Sequence, residues 1–202
     1  MASAAAAAGP AAGPRHYSIW IEPPPGALRD ALQREIGAQR AARGGPPFEA
    51  HVTLLGDIPA ADDGAALEAA AQLAARLEPF RVNFLDVSTG ASFYQCVLIL
   101  CAKEAQLLAA NAAARGAFGM PDPPRPYMPH LSLLYADIDD EARAAAAAEA
   151  VARLWGDAAG YGTLLPASGF DAGAFAVWET PAADRSLGSW RRVGEFRLGG
   201  PR

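Results

Sequence analysis

Two four-residue segments of this chain are built alike: His51-Val52-Thr53-Leu54 and His130-Leu131-Ser132-Leu133. Each runs histidine, apolar, hydroxyl, apolar, and each sits in a short stretch of strand-forming composition, 50–55 and 130–135. Side chains alternate faces along a strand, so imidazole and hydroxyl share one face and the two apolar residues share the other. The chain therefore needs a sheet with one packed face and one polar face, and needs it twice, 79 residues apart. Ser and Thr number 12 of 202 residues and histidines only three. Two such matches by chance are on the order of one in a thousand. The third histidine, in His16-Tyr17-Ser18-Ile19, is a partial match beside a low-complexity tail, and reads as a surface residue.

The rest of the chain alternates strands and helices. A β-branched and aromatic strand, Tyr17 to Ile21, stops at Pro23-Pro24-Pro25. Leu28, Leu32 and Ile36 form one stripe of a helix over Gly26 to Arg43, closed by Gly44-Gly45-Pro46-Pro47. Asp62 or Asp63 caps a second helix running to about Arg76, with Leu67, Ala70, Ala74 and Leu77 inward. A strand over Arg81 to Val87 and a turn at Ser88-Thr89-Gly90 lead to a nearly continuous apolar strand, Tyr94 to Cys101. A third helix spans Glu104 to Phe118, and the five prolines of Pro121 to Pro129 impose an extended loop. A fourth helix starts at Asp139 or Asp140 and ends near Gly156, with strands expected at Phe170 to Glu179 and Trp190 to Leu198. This order is α+β or α/β, in two similar halves that each bury one sheet face under two helices.

Composition narrows the function. Alanine makes up about a quarter of the chain and Lys103 is the only lysine, a codon bias that inflates the apparent helix signal. Residues 1–14 carry no charge and read as a disordered tail before a single domain at 15–202. The tail lacks the basic start of a secretory signal. Cytoplasmic location is the expectation, with an organelle as alternative if the tail is a transit peptide, since no acidic residue precedes Glu22. A net charge of −5 argues against stable binding of long nucleic acid. No apolar run is long enough for a membrane helix. Cys96 and Cys101 form neither a disulfide scaffold nor a zinc ribbon.

Two imidazoles and two hydroxyls on facing strands suit phosphodiester hydrolysis without metal. One histidine takes a proton from water, the other gives one to the leaving oxygen, and hydroxyls donate to the non-bridging oxygens. Two histidines with no carboxylate in either motif make a poor hydrolytic zinc set, although Asp57 and Asp137 lie just beyond. Arg125, in the proline loop, reads as a solvated charge, and Trp155, Trp178 and Trp190 read as core or lobe-interface aromatics.

The chain resembles the 2H phosphoesterase superfamily, and within it the plant-type cyclic phosphodiesterases. His51-Val52-Thr53 matches the first motif, and the block Pro126-Tyr127-Met128-Pro129-His130-Leu131-Ser132-Leu133-Leu134-Tyr135-Ala136 matches the second nearly residue for residue. Val87-Ser88-Thr89-Gly90 followed by Phe93-Tyr94-Gln95-Cys96-Val97 resembles the central strand pair. The resemblance implies an α+β bilobal, duplicated fold: two antiparallel β-sheets facing a central cleft and flanked by helices. It implies a monomer without cofactor that opens small cyclic phosphates. The substrates would be ADP-ribose 1″,2″-cyclic phosphate, a by-product of tRNA splicing, and nucleoside 2′,3′-cyclic phosphates, giving the 1″-phosphate and 2′-phosphates. His51 and His130 would be the catalytic pair, His130 as base and His51 as acid. Thr53 and Ser132 would bind phosphate, and Tyr135 and Tyr94 would line the cleft. The alternatives are a relative acting on RNA 3′ ends or 2′,5′ linkages, or a catalytically silent nucleotide-binding module. The loop Gly160 to Ser168 does not align.

Overall fold

The computed structural model describes residues 14–156 and 169–199. The N-terminal tail up to residue 13 and the loop Gly160 to Ser168 lie outside the described residues. Eight strands and four helices follow in the order β1 (Arg15–Ile21), α1 (Ala27–Arg43), β2 (Val52–Ala60), α2 (Asp63–Ala74), β3 (Phe80–Thr89), β4 (Val97–Cys101), α3 (Ala105–Ala117), β5 (His130–Leu134), α4 (Asp140–Trp155), β6 (Gly169–Ala172), β7 (Ala174–Glu179) and β8 (Arg191–Arg197). All pairings are antiparallel, and the strands run β6-β3-β4-β5-β2-β1-β7-β8.

The two expected sheets are the two halves of that order, joined edge to edge. Strands β5 and β2 meet at one residue pair, Val52 with Leu131, and diverge beyond it. The halves are not successive stretches of chain. β7 and β8, last in sequence, complete the half that holds β1 and β2. Helix α1 packs on β5 and α4, and α3 packs on β2 and β3.

The expected strand over Phe170 to Glu179 is two strands, one in each half. β6 pairs β3, β7 pairs β1, and Gly173 lies between them. Tyr94, expected on a strand, lies on a 3-10 turn, Phe93–Gln95, that precedes β4. β2 runs past its expected end through Gly56, Asp57 and Pro59. It does so because β5 leaves it after Val52. An unpaired edge tolerates a proline, and a register shift absorbs Asp57 at φ 55.

Asp62 and Asp139 cap α2 and α4, accepting from the backbone N–H of Ala65 at 2.9 Å and of Ala142 at 2.8 Å. The alanine runs turn small faces to the sheet: Ala66, Ala70 and Ala74 of α2, Ala110 and Ala114 of α3, and Ala146, Ala147 and Ala150 of α4 are buried. The apolar members of the two motifs, Val52, Leu54, Leu131 and Leu133, are buried in the same core. The opposite face, where the halves part, holds the cleft.

Candidate active site

The one bridge between the halves falls on the residue after each motif histidine. Carried one step either way, that antiparallel register sets His51 across from Ser132 and Thr53 across from His130. All four then lie on the face away from the core, because Val52 and Leu131 point into it. His51, Thr53, His130, Tyr94 and Tyr135 all line one cavity of about 250 Å³. Ser132 does not line it: it is buried, with its hydroxyl donating to the carbonyl of Tyr94, a lining residue, at 3.2 Å.

Each imidazole is held by the same device. The Nδ1 of His51 lies 2.6 Å from the carbonyl oxygen of Glu49, and the Nδ1 of His130 lies 2.8 Å from that of Met128. A carbonyl only accepts, so Nδ1 carries the proton in both rings and Nε2 keeps its lone pair for a ligand. Pro47 and Pro129 stiffen the segments that supply these carbonyls.

His51 is also stacked on Trp20, with ring centroids 3.5 Å apart and planes within 7°, and Trp20 in turn stacks on Trp178 at 4.5 Å. Burial in this stack pushes the His51 imidazole down to about 3, against a smaller upward pull from the Glu49 carbonyl and a smaller downward push from His130. Burial also lowers His130, partly offset by its hydrogen bond to Met128. Both rings are therefore neutral in the empty site at neutral pH.

The first motif's strand is held where it loses its neighbour. The Tyr127 hydroxyl donates to the Thr53 carbonyl at 2.8 Å, and Asn111 Nδ2 donates to the Leu54 carbonyl at 2.6 Å. These side chains take the place of the strand pairing that β5 no longer supplies.

Tyr135 belongs to both core and cavity. It is 5% exposed and stacked on Phe48 at 4.0 Å, yet its ring meets Tyr94 edge-on at 5.3 Å in the cavity wall. Tyr94 stacks on Trp190 at 5.9 Å, and its hydroxyl donates to the Ala182 carbonyl at 2.9 Å. Trp190, expected in the core or between lobes, lines the cavity, and Arg125 is exposed and does not.

Sequence reasoning missed Trp20, Ser18 and Thr180 as wall residues; the latter two have hydroxyls 2.7 Å apart. Asp57 also lines the cavity, with His16 Nδ1 2.6 Å from its carboxylate. The alternation His16, Ser18, Trp20 along β1 was the available signal. Among the described residues no group of three or more His, Cys, Asp or Glu side chains is arranged to hold a metal ion.

The chain is similar to known proteins along most of its length. An Arabidopsis thaliana protein named cyclic phosphodiesterase is 28% identical over 184 residues, covering 90% of this chain and 94% of its own. The crystal structure of Escherichia coli LigT with 3'-AMP superposes with a TM-score of 0.55 at 14% identity, covering 92% of this chain and 98% of LigT. Its complex with NADP+ gives 0.53 at 17%, covering 93% and 99%. At those identities the LigT structures attest the fold. The sequence signature of the 2'-5' RNA ligase superfamily matches residues 28–182, well over half of the chain, and the chain belongs to that superfamily, the 2H phosphoesterases.

Proposed function

We propose that this 2H phosphoesterase is a cyclic phosphodiesterase that opens small cyclic phosphates by attack of water, with the two motif histidines as base and acid. The observation that carries the reading is the pair of imidazoles beside the single β2–β5 bridge, each pinned through Nδ1 and each lining one cavity. In the reaction a water oxygen forms a bond to phosphorus while one ribose oxygen leaves. One Nε2 accepts the water's proton and the other imidazole protonates the leaving oxygen. On a nucleoside 2′,3′-cyclic phosphate the P–O3′ bond breaks and the 2′-phosphate forms. On ADP-ribose 1″,2″-cyclic phosphate the 1″-phosphate forms. Thr53 donates to a non-bridging oxygen, and Ser132 does so after exchanging its hydrogen bond from the Tyr94 carbonyl to the phosphate.

Among the described residues no arginine or lysine lines the cavity. The bound phosphate itself must recharge an imidazole, since an anion beside a neutral ring raises its pKa. With His130 as base and His51 as acid, the roles the family resemblance gives them, that lift falls on the ring that burial lowers most. Binding of the cyclic phosphate is then coupled to proton uptake and tightens as pH falls.

The name of the Arabidopsis relative supports cyclic phosphates as the substrate class. The test is incubation with 2′,3′-cyclic AMP and with ADP-ribose 1″,2″-cyclic phosphate in EDTA, with the products identified. We expect 2′-AMP and ADP-ribose 1″-phosphate at undiminished rate, and a loss of about 10²–10⁴ in His51→Ala or His130→Ala. Full activity in either variant, or abolition by the chelator, overturns the mechanism.

A further inference from the structure

We propose that Arg185 is a clamp for a second phosphate, selecting substrates that carry a phosphate beyond the cyclic one. The inference rests on the cyclic-phosphodiesterase reading above.

The strap between β7 and β8, both strands of one half, reaches over to the other half and returns. At its start the Pro181 carbonyl accepts from Trp190 Nε1 at 3.2 Å and the Ala182 carbonyl accepts from the Tyr94 hydroxyl at 2.9 Å. Its middle is rigid. The Asp184 carboxylate accepts from the backbone N–H groups and hydroxyls of both Ser186 and Ser189. This turn carries Arg185 to the far half. There its guanidinium lies 3.9 Å above the Phe93 ring and pairs with Asp137, with half of the side chain exposed.

Three observations make this more than a surface ion pair. First, among the described residues no arginine or lysine lines the catalytic cavity, and at about 250 Å³ it falls below the ~300–1,000 Å³ of pockets that enclose a whole ligand of moderate size. Groups attached to a bound cyclic nucleotide must project over its rim. Second, a hollow of about 510 Å³ is lined by Gly45, Pro46, Phe93, Asp137, Arg185 and Ser186, and the Phe93 ring meets that of Tyr94, a cavity residue, edge-on at 5.0 Å. Phe93 and Tyr94 are consecutive, so one turn walls both spaces. Third, among the described residues the carboxylate lining the cavity is that of Asp57, so the cavity wall offers an anionic group and the Arg185 hollow offers a cation for a second phosphate. A planar guanidinium with donors left outside its contact with Asp137 suits the oxygens of a phosphate.

The experiment compares one phosphate with two. Calorimetry measures binding of adenosine 2′-monophosphate and adenosine 2′,5′-bisphosphate to the full chain. In the wild type the bisphosphate binds about tenfold tighter or more, a gap that narrows with salt. In Arg185→Ala the gap closes, and in Arg185→Lys part of it returns. Asp137→Asn separates clamp from anchor. If Arg185 merely fastens the strap, Asp137→Asn mimics Arg185→Ala; as a clamp, its preference for the bisphosphate is kept or grows. In turnover, the ratio of kcat/KM for ADP-ribose 1″,2″-cyclic phosphate to that for 2′,3′-cyclic AMP falls about tenfold in Arg185→Ala, through KM. An undiminished bisphosphate preference in Arg185→Ala, or its absence from the wild type, overturns the proposal. Lack of wild-type turnover on both cyclic substrates overturns the activity instead, and the binding comparison still decides the clamp.

Discussion

The imidazole of His51 is stacked on one neighbour that shields it from water. Trp20 covers a ring face at 3.5 Å and is itself 2% exposed, so water has no access from that side. Desolvation disfavours the charged ring. Replacing the indole by a small side chain lets water reach His51, and we expect Trp20→Ala to move its pKa upward from about 3 toward the ordinary 6.5. Trp20→Phe, which keeps a ring in place, moves it less. The three histidine Cε1 proton resonances titrated by NMR report this directly. A folded Trp20→Ala in which His51 titrates no higher than in the wild type removes the stack as the cause. The same variant frees the ring to turn about its Nδ1 contact, so the acidic limb of the pH–rate profile shifts while kcat falls.

At the scale of the element, β2 is the exposed part of the design. It has a full partner in β1 but only one pair with β5, and the carbonyls of Thr53 and Leu54 depend on Tyr127 and Asn111. Tyr127→Phe removes one donor and leaves a carbonyl unsatisfied, which costs about 1–3 kcal/mol. We expect a lowered Tm and a loss of kcat, because the carbonyl left unpaired belongs to the motif's own Thr53. A variant with wild-type melting and activity shows that water replaces the hydroxyl without penalty. This donor could not be read from the sequence. Alternation tells which face of a strand a residue occupies, so the His51/Thr53 and His130/Ser132 frames were legible, as were the caps at Asp62 and Asp139. It does not tell which strand lies alongside. The stretch from Phe170 to Glu179 therefore read as one strand across Asp171 and Gly173, although β6 and β7 belong to opposite halves. Trp20, Ser18 and Thr180 escaped notice for the same reason. They reach the cavity through the β1–β7 pairing, which joins residues about 160 positions apart.

For the molecule as a whole, the two motif histidines tie stability to pH. An unfolded chain takes a proton at His51 near pH 6.5, whereas the folded chain takes it only near pH 3. Between those values the unfolded state holds more protons, so stability is present above pH 6.5 and is lost as the pH falls. From pH 8 to pH 5 the His51 shift alone removes about 2 kcal/mol. His130, also lowered, adds to the loss with the same sign. Asp63 and Glu149, held low by hydrogen bonds from Arg191 and Arg43, act in the same direction but only below the ordinary carboxylate range. The window from pH 7 to pH 5 thus isolates the histidines from these carboxylates. Urea unfolding across that window should show wild-type stability falling, and a visibly flatter dependence in His51→Gln, which cannot take the proton in either state. The slopes decide this, whatever the substitution does to absolute stability. Inorganic phosphate should oppose the trend. As an anion in the cavity it raises the imidazole pKa values in the folded state, so its stabilising effect grows as the pH drops from 8 to 6. A histidine pair unconnected to the anion site would leave phosphate protection flat over that range, or falling as the dianion protonates.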